Sequence, residues 1–445
     1  MSDVQAPAAP KGPSPDGPIH RGLLPDTATA TTDGRLSIGG VDLVQLAEEF
    51  GTPVFVYDEE HLRRRCREAL DGFGAGVAYA TKAFLCKAMV ALALEEGMAL
   101  DVSTGGELAV ALAGGATGEH LVCHGNNKSS AELASALDAG VGRIVVDSFD
   151  EISRLRDLAA SGVSSRAEAG RTRLLLRVTP GVEAHTHEYV MTGQEDTKFG
   201  FSLASGAAAE AVSELRQLTG FELVGVHAHI GSQIFELDAF GQELSALAPF
   251  VIANDFAECC VGGGLGVAYV EGEVAPTISE WARAVRSAAR AAGLPPKVRL
   301  TAEPGRAVVA AAAVTLYRVG TIKRLPGLRT YVAVDGGMSD NPRPVLYGSG
   351  YEAFLPRALQ QPRPLAARVV GKHCESGDVI VDDARLPIDL AVGDVLATPV
   401  TGAYGFAMSS NYNRVLRPPV VFVAGGRSRV VVRRETMADL LACEA

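Results

Sequence analysis

The sequence predicts an α/β protein, a (β/α)8 barrel followed by a C-terminal all-β domain. From Gly51 onward, short β-rich runs alternate with Ala/Leu/Glu-rich stretches of helical character, eight times in succession. After Arg306 that rhythm stops, and Val-rich runs separated by Gly, Pro and Asp follow. The chain has 445 residues, more than one ordinary core accommodates, so two domains are expected.

In chain order, residues 1–30 read as a flexible tail, because Pro7, Pro10, Pro13, Pro15 and Pro18 exclude regular structure. Residues 34–48 are expected to pack with the C-terminal domain. The barrel is assigned to 49–310 and the β domain to 311–445. Strands are expected at Val77–Lys82, Leu100–Ser103, Leu121–His124, Arg143–Asp147, Arg173–Val178, Leu223–His229, Glu258–Val261 and Arg299–Ala302. An intervening segment such as Ser130–Gly140 reads as an amphipathic helix with a Ser cap and a Gly stop. An open doubly wound sheet is the alternative. Later runs at Val314–Val319, Tyr331–Val334, Ala366–Val370, Val379–Val381 and Val420–Val423 read as strands of the second domain.

Composition narrows the function. Net charge is -11 with a pI near 5.4, which argues against nucleic acid, since phosphate backbones need a basic patch. The seven cysteines show no C-x-x-C spacing, which favours reduced thiols in the cytoplasm over a disulfide framework or a structural zinc site. No apolar run is long enough to span a membrane, and no signal peptide is visible.

Barrel chemistry gathers at the C-terminal strand ends. The first strand ends in Tyr79-Ala-Thr-Lys82. A lysine there is either a Schiff-base amine activated by burial or a side chain snorkelling to the rim. The sixth reads His227-Ala-His229-Ile-Gly-Ser232, open to three readings: a metal pair with no obvious third ligand, two core histidines, or a ring stacked on a flat cofactor. Gly262-Gly-Gly264 would let backbone N–H groups converge on an anion, and Glu303-Pro304-Gly305-Arg306 sets a carboxylate and a guanidinium at the same rim. An amine, a stacking ring, an anion nest and a carboxylate together suit pyridoxal 5'-phosphate (PLP), whose ring nitrogen is kept protonated by a facing carboxylate.

These segments, with Asp335-Gly-Gly-Met, Cys374-Glu-Ser-Gly-Asp378 and Gly402-Ala-Tyr404, make the chain similar to the diaminopimelate decarboxylase family, of the alanine-racemase and ornithine-decarboxylase class of PLP enzymes. The resemblance runs from about Val41 to about Leu441. It implies that Lys82 holds PLP, His229 stacks on its ring, and Ser232, Gly264 and the Pro304-Gly305-Arg306 turn surround its phosphate. Glu303 would contact the ring nitrogen, Tyr404 would touch both cofactor and substrate, and Asp101 would belong to the polar network near the lysine. It also implies decarboxylation of meso-2,6-diaminopimelate to L-lysine and CO2, with Cys374 as proton donor. A thiol of ordinary acidity is protonated at neutral pH; the bland reading of Cys374 is a small buried apolar residue.

The substrate's far end carries a carboxylate and an ammonium. Arg306 and Arg343 would take the carboxylate, Glu375 the ammonium, and Tyr347 would add a hydrogen bond. The resemblance further implies a homodimer with shared active sites, Cys374 and Glu375 coming from the partner subunit. His185 and His187 read as a solvated or lid-like loop rather than a metal site, and no metal is expected. The rival readings are a sister decarboxylase, an amino-acid racemase and a non-catalytic PLP-binding protein; the Cys374–Asp378 segment argues against the last two.

Overall fold

A computed structural model describes residues 17–163, 171–182 and 196–445. The chain divides into two compact units. A barrel unit comprises Arg63–Val267 and Pro276–Val309. A β unit comprises the chain up to Leu62, Ala268–Ala275 and Ala310–Ala445.

The barrel strands are β1 Ala78–Ala80, β2 Ala99–Val102, β3 Leu121–Cys123, β4 Arg143–Val146, β5 Thr172–Thr179, β6 Phe221–His227, β7 Glu258–Cys260 and β8 Arg299–Thr301. Each pairs in parallel with the next. The Ala78 N–H donates to the Ala302 carbonyl (3.0 Å) and the Ala80 N–H to that of Pro304 (3.1 Å), which joins β8 back to β1. All eight expected strands are present. Between them, Ser129 caps the helix Ser130–Asp138 through a reciprocal box with Glu132. Ala78, Val122, Val145 and Leu175, one each from β1, β3, β4 and β5, share a buried apolar cluster.

Ionic chemistry at the N-terminal strand ends is structural. Arg143 opens β4 and donates from Nε and Nη2 to the two oxygens of Glu258, which opens β7 (2.7 and 2.9 Å); Arg299 of β8 joins the same carboxylate. Arg143 and Glu258 are both buried. Glu258→Ala should therefore strand a buried guanidinium and cost about 3–5 kcal/mol in chemical denaturation; a loss below about 1 kcal/mol, the scale of an exposed pair, would contradict this.

The β unit contains β9 Ala313–Leu325, β10 Arg329–Val334, β11 Leu365–Val370, β12 Val379–Leu386, β13 Val395–Pro399, β14 Val420–Ala424 and β15 Arg427–Val432. The strand Val54–Asp58 lies inside this sheet, antiparallel to β9 and parallel to β14. The rhythm had placed it in the barrel, starting at 49; its fully buried backbone instead pairs on both edges, and the unit boundary falls at Leu62.

The tail expectation also needs revising. Residues 1–16 lie outside the described residues, but 17–30 are packed. Leu23 and Leu24 are buried, and Thr29–Ala30 pairs with Leu36–Ile38. Proline removes a donor but keeps its carbonyl, and the backbone carbonyls of Gly17 and Pro18 accept from Arg363 (both 3.1 Å). The Asp58 carboxylate accepts from both the Thr27 N–H (3.0 Å) and its hydroxyl (2.7 Å). Among the described residues no helix is long and apolar enough to cross a membrane. His185 and His187 fall outside the described residues.

Candidate active site

The C-terminal ends of the barrel strands bring together residues far apart in sequence. Lys82 follows β1 in the 3-10 turn Thr81–Ala83. Its side chain is exposed, which fits the reading of a lysine reaching the barrel rim. The turn is fixed by its neighbours: the Thr81 hydroxyl donates to the Asp101 carbonyl (2.7 Å) and the Tyr79 hydroxyl to that of Phe84 (2.6 Å). The Lys82 charge acts on Asp101 and on His229.

Four buried residues form a quartet. Glu303, after β8, receives His124 Nε2 on Oε1 (3.0 Å) and His227 Nε2 on Oε2 (2.9 Å). Asp101, in β2, sits 3.7 Å from His124 Nε2. Burial opposes ionisation of Glu303, yet the two imidazoles outweigh it and hold the carboxyl well below its usual range. Burial pushes Asp101 up to about 6, with the Glu303 charge adding and His124 opposing. Burial drives His227 down to about 4 and His229 well below its ordinary value.

The strand reading of His227 and His229 holds only for the first. Strand β6 ends at His227, and His229 lies beyond it, where its Nδ1 accepts the Gly263 N–H (3.2 Å). That contact ties the ring to the glycine loop. A Cβ on Gly263 would stand 2.4 Å from the Glu303 carbonyl, and one on Gly264, at φ +106°, 2.3 Å from that of Gly231, so backbone packs where side chains cannot. Arg306 Nη2 donates to the Ser232 hydroxyl (2.9 Å), joining the β6 and β8 loops. The alternative use of His124, His227 and Glu303 is a divalent metal, since their ligand atoms lie within 4.8 Å of one another.

In the β unit, Arg343 opens the helix Arg343–Tyr347 and is buried. Its Nη1 donates to the Tyr351 hydroxyl (2.6 Å), and its guanidinium lies 4.2 Å from the centre of the Tyr269 ring. Tyr404 is close enough to act on its charge and adopts φ +60°, an uncommon backbone state that accompanies functional positions. Tyr347 is half-buried. Cys374 and Glu375 are exposed, whereas Cys66 and Cys123 are buried and their thiols are pushed up to about 12 by that burial.

Residues 59–310 match the family model of the pyridoxal-dependent decarboxylase pyridoxal-binding domain. Diaminopimelate decarboxylase of Mycobacterium tuberculosis is 47% identical over 95% of this chain and 97% of that protein. The enzyme of Bacillus subtilis is 44% identical over 94% and 97%. The chain belongs to the diaminopimelate decarboxylase family. It is an enzyme of the carboxy-lyase class EC 4.1.1.20. A crystal structure of diaminopimelate decarboxylase from M. jannaschii in co-complex with L-lysine superposes with a TM-score of 0.86 at 31% identity, over 94% of this chain and 98% of that one.

Three residues of this decarboxylase escaped sequence reasoning. His124 ends the segment Leu121–His124 with no motif around it, and only the β3–β8 geometry reveals that it meets Glu303. Tyr269 and Tyr351 stand 82 positions apart and come together beside Arg343, their rings 5.3 Å apart.

Proposed function

We propose that the chain decarboxylates meso-2,6-diaminopimelate to L-lysine and CO2 with PLP bound at the C-terminal end of the barrel. The observation that supports this best is Glu303, a buried carboxylate kept ionised by two imidazoles at the barrel mouth that also carries the accessible Lys82. When bound, PLP supplies an electron sink for the electron pair left behind as the α-carboxylate departs.

The chain's own residues do the rest. Lys82 offers the amine that holds the cofactor. Glu303 accepts the ring N–H, and His229, its Nδ1 anchored to Gly263, presents a flat face to the ring. Ser232, Gly264, Gly305 and Arg306, with Pro304 fixing the turn, surround the phosphate, and Tyr404 adds its hydroxyl. Arg343 and Arg306 grip the distal carboxylate, Glu375 the distal ammonium, and Tyr347 donates a hydrogen bond. The partner subunit's Cys374 returns the proton to the α-carbon in a homodimer with shared sites. Two exposed acid-loop residues, Cys374 and Glu375, suit such use by a second chain.

PLP-dependent formation of lysine and CO2 from the meso compound tests the reading; a PLP-loaded dimer releasing neither would overturn it in favour of a non-catalytic cofactor protein. Specificity is tested at Arg343. Arg343→Ala should cost about 1.5–3 kcal/mol, roughly 10–150-fold in kcat/KM for diaminopimelate, as expected for a lost hydrogen bond to a charged group. Tyr351→Phe, which frees the guanidinium without removing it, should cost less. Equal kcat/KM in Arg343→Ala and wild type would remove Arg343 from the pocket.

A further inference from the structure

The grip on Glu303 has more in it than anchorage. His124 and His227 approach from β3 and β6, their rings 4.9 Å apart and inclined at 70°, and each meets a different oxygen. All three side chains are buried. Because a carboxylate only accepts, each Nε2 must carry a proton. Among the described residues, the buried Nδ1 of His227 has no hydrogen-bond partner. A bare nitrogen there costs less than an unpaired N–H or an imidazolium, so His227 is a neutral Nε2–H tautomer. His124 differs. Burial works against its charge, but Asp101 and Glu303 raise its basicity above the ordinary value. One oxygen of Glu303 thus faces a dipole and the other a group favoured as a cation. Two of the roughly four acceptor positions of the carboxylate are thereby filled, and others stay open for one further donor.

We propose that His124 and His227 are positioning residues that keep Glu303 ionised, so that the single proton shared between Glu303 and the pyridine nitrogen of PLP rests on the ring. The inference builds on the PLP reading above. Its logic is competitive: a carboxylate that already receives two N–H groups is a weaker base, and the proton stays on the stronger one. Removing either imidazole strengthens the base and draws the proton towards Glu303. Asp101 and Arg177 also act electrostatically on this group, and Lys82 and Glu107 act on Asp101.

The test is the nitrogen NMR shift of [15N]PLP bound to full-length holoenzyme, a readout that simple loosening of the fold does not mimic. In the wild type the ring nitrogen should be protonated at neutral pH. In His227→Phe and His124→Phe, which keep a ring but lose the N–H, the shift should move towards that of neutral pyridine. In those variants kcat should fall about 10²-fold with KM little changed. His227→Gln, which restores a side-chain N–H at similar reach, should recover much of both. An unchanged shift in the two Phe variants would overturn the clamp. Should those variants not fold, neutron diffraction of the wild-type holoenzyme decides: a deuteron on Nε2 of His227 and none on Glu303 is required, and a deuteron on Nδ1 instead overturns the proposal. A wild-type chain that takes up no PLP would overturn the functional reading itself, and the clamp with it.

Discussion

Lys82→Ala should abolish turnover and the absorbance of covalently held cofactor while leaving the barrel folded. The side chain of Lys82 is exposed and fills no core space. Its turn is held by the Thr81 and Tyr79 hydroxyls rather than by the amine. Denaturation midpoints of the cofactor-free proteins should therefore match, while kcat falls by about 10³-fold or more, as for loss of a group that forms the covalent link. In the wild type, borohydride reduction followed by peptide mapping should fix the cofactor on Lys82. Label at any other lysine would contradict the assignment.

Cys374→Ala should keep the bound cofactor and lose about 10²–10⁴-fold in kcat, the range for removing a general acid. The loop that carries Cys374 is built from other residues. Asp378 is buried and accepts from the Met338 N–H (2.6 Å), the His373 N–H (2.9 Å) and His373 Nδ1 (2.8 Å). The Cys374 N–H donates to Asn413 Oδ1 (3.1 Å), a contact the substitution preserves. Loss of activity with an unaltered cofactor spectrum would thus report the thiol rather than the loop. Wild-type turnover in the variant would remove Cys374 from the reaction. Mixing Cys374→Ala with Lys82→Ala subunits sharpens the test: if sites are shared, the heterodimer has one intact site and regains part of the activity, whereas sites contained within single chains would regain none.

Periodicity revealed the barrel because each of its eight strands is a short apolar run bounded by helical sequence. It misplaced Val54–Asp58, whose apolar run before a helix looks like another βα unit; only its pairing with β9 and β14 reveals the β unit. Strand β15 was invisible for a different reason. Arg427 and Arg429 make it read as a loop, yet it is the sheet's outer strand, where charge is common. At the site, Lys82, His229, Glu303 and Arg306 stand in local motifs and could be read from sequence. The choice between a buried and a rim-exposed Lys82 could not, because burial depends on what the barrel mouth leaves open. Nor could the meeting of His124 with Glu303, 179 residues apart, since no local pattern encodes a contact across the barrel.

The most direct test of the account is product analysis of the purified chain with PLP and four parallel substrates: meso-diaminopimelate, L-ornithine, L-lysine and L-arginine. The account predicts L-lysine and an equal amount of CO2 from diaminopimelate and no turnover of the other three. Preferred turnover of ornithine, lysine or arginine would contradict it, because none of them carries the distal carboxylate that Arg306 and Arg343 are assigned to hold.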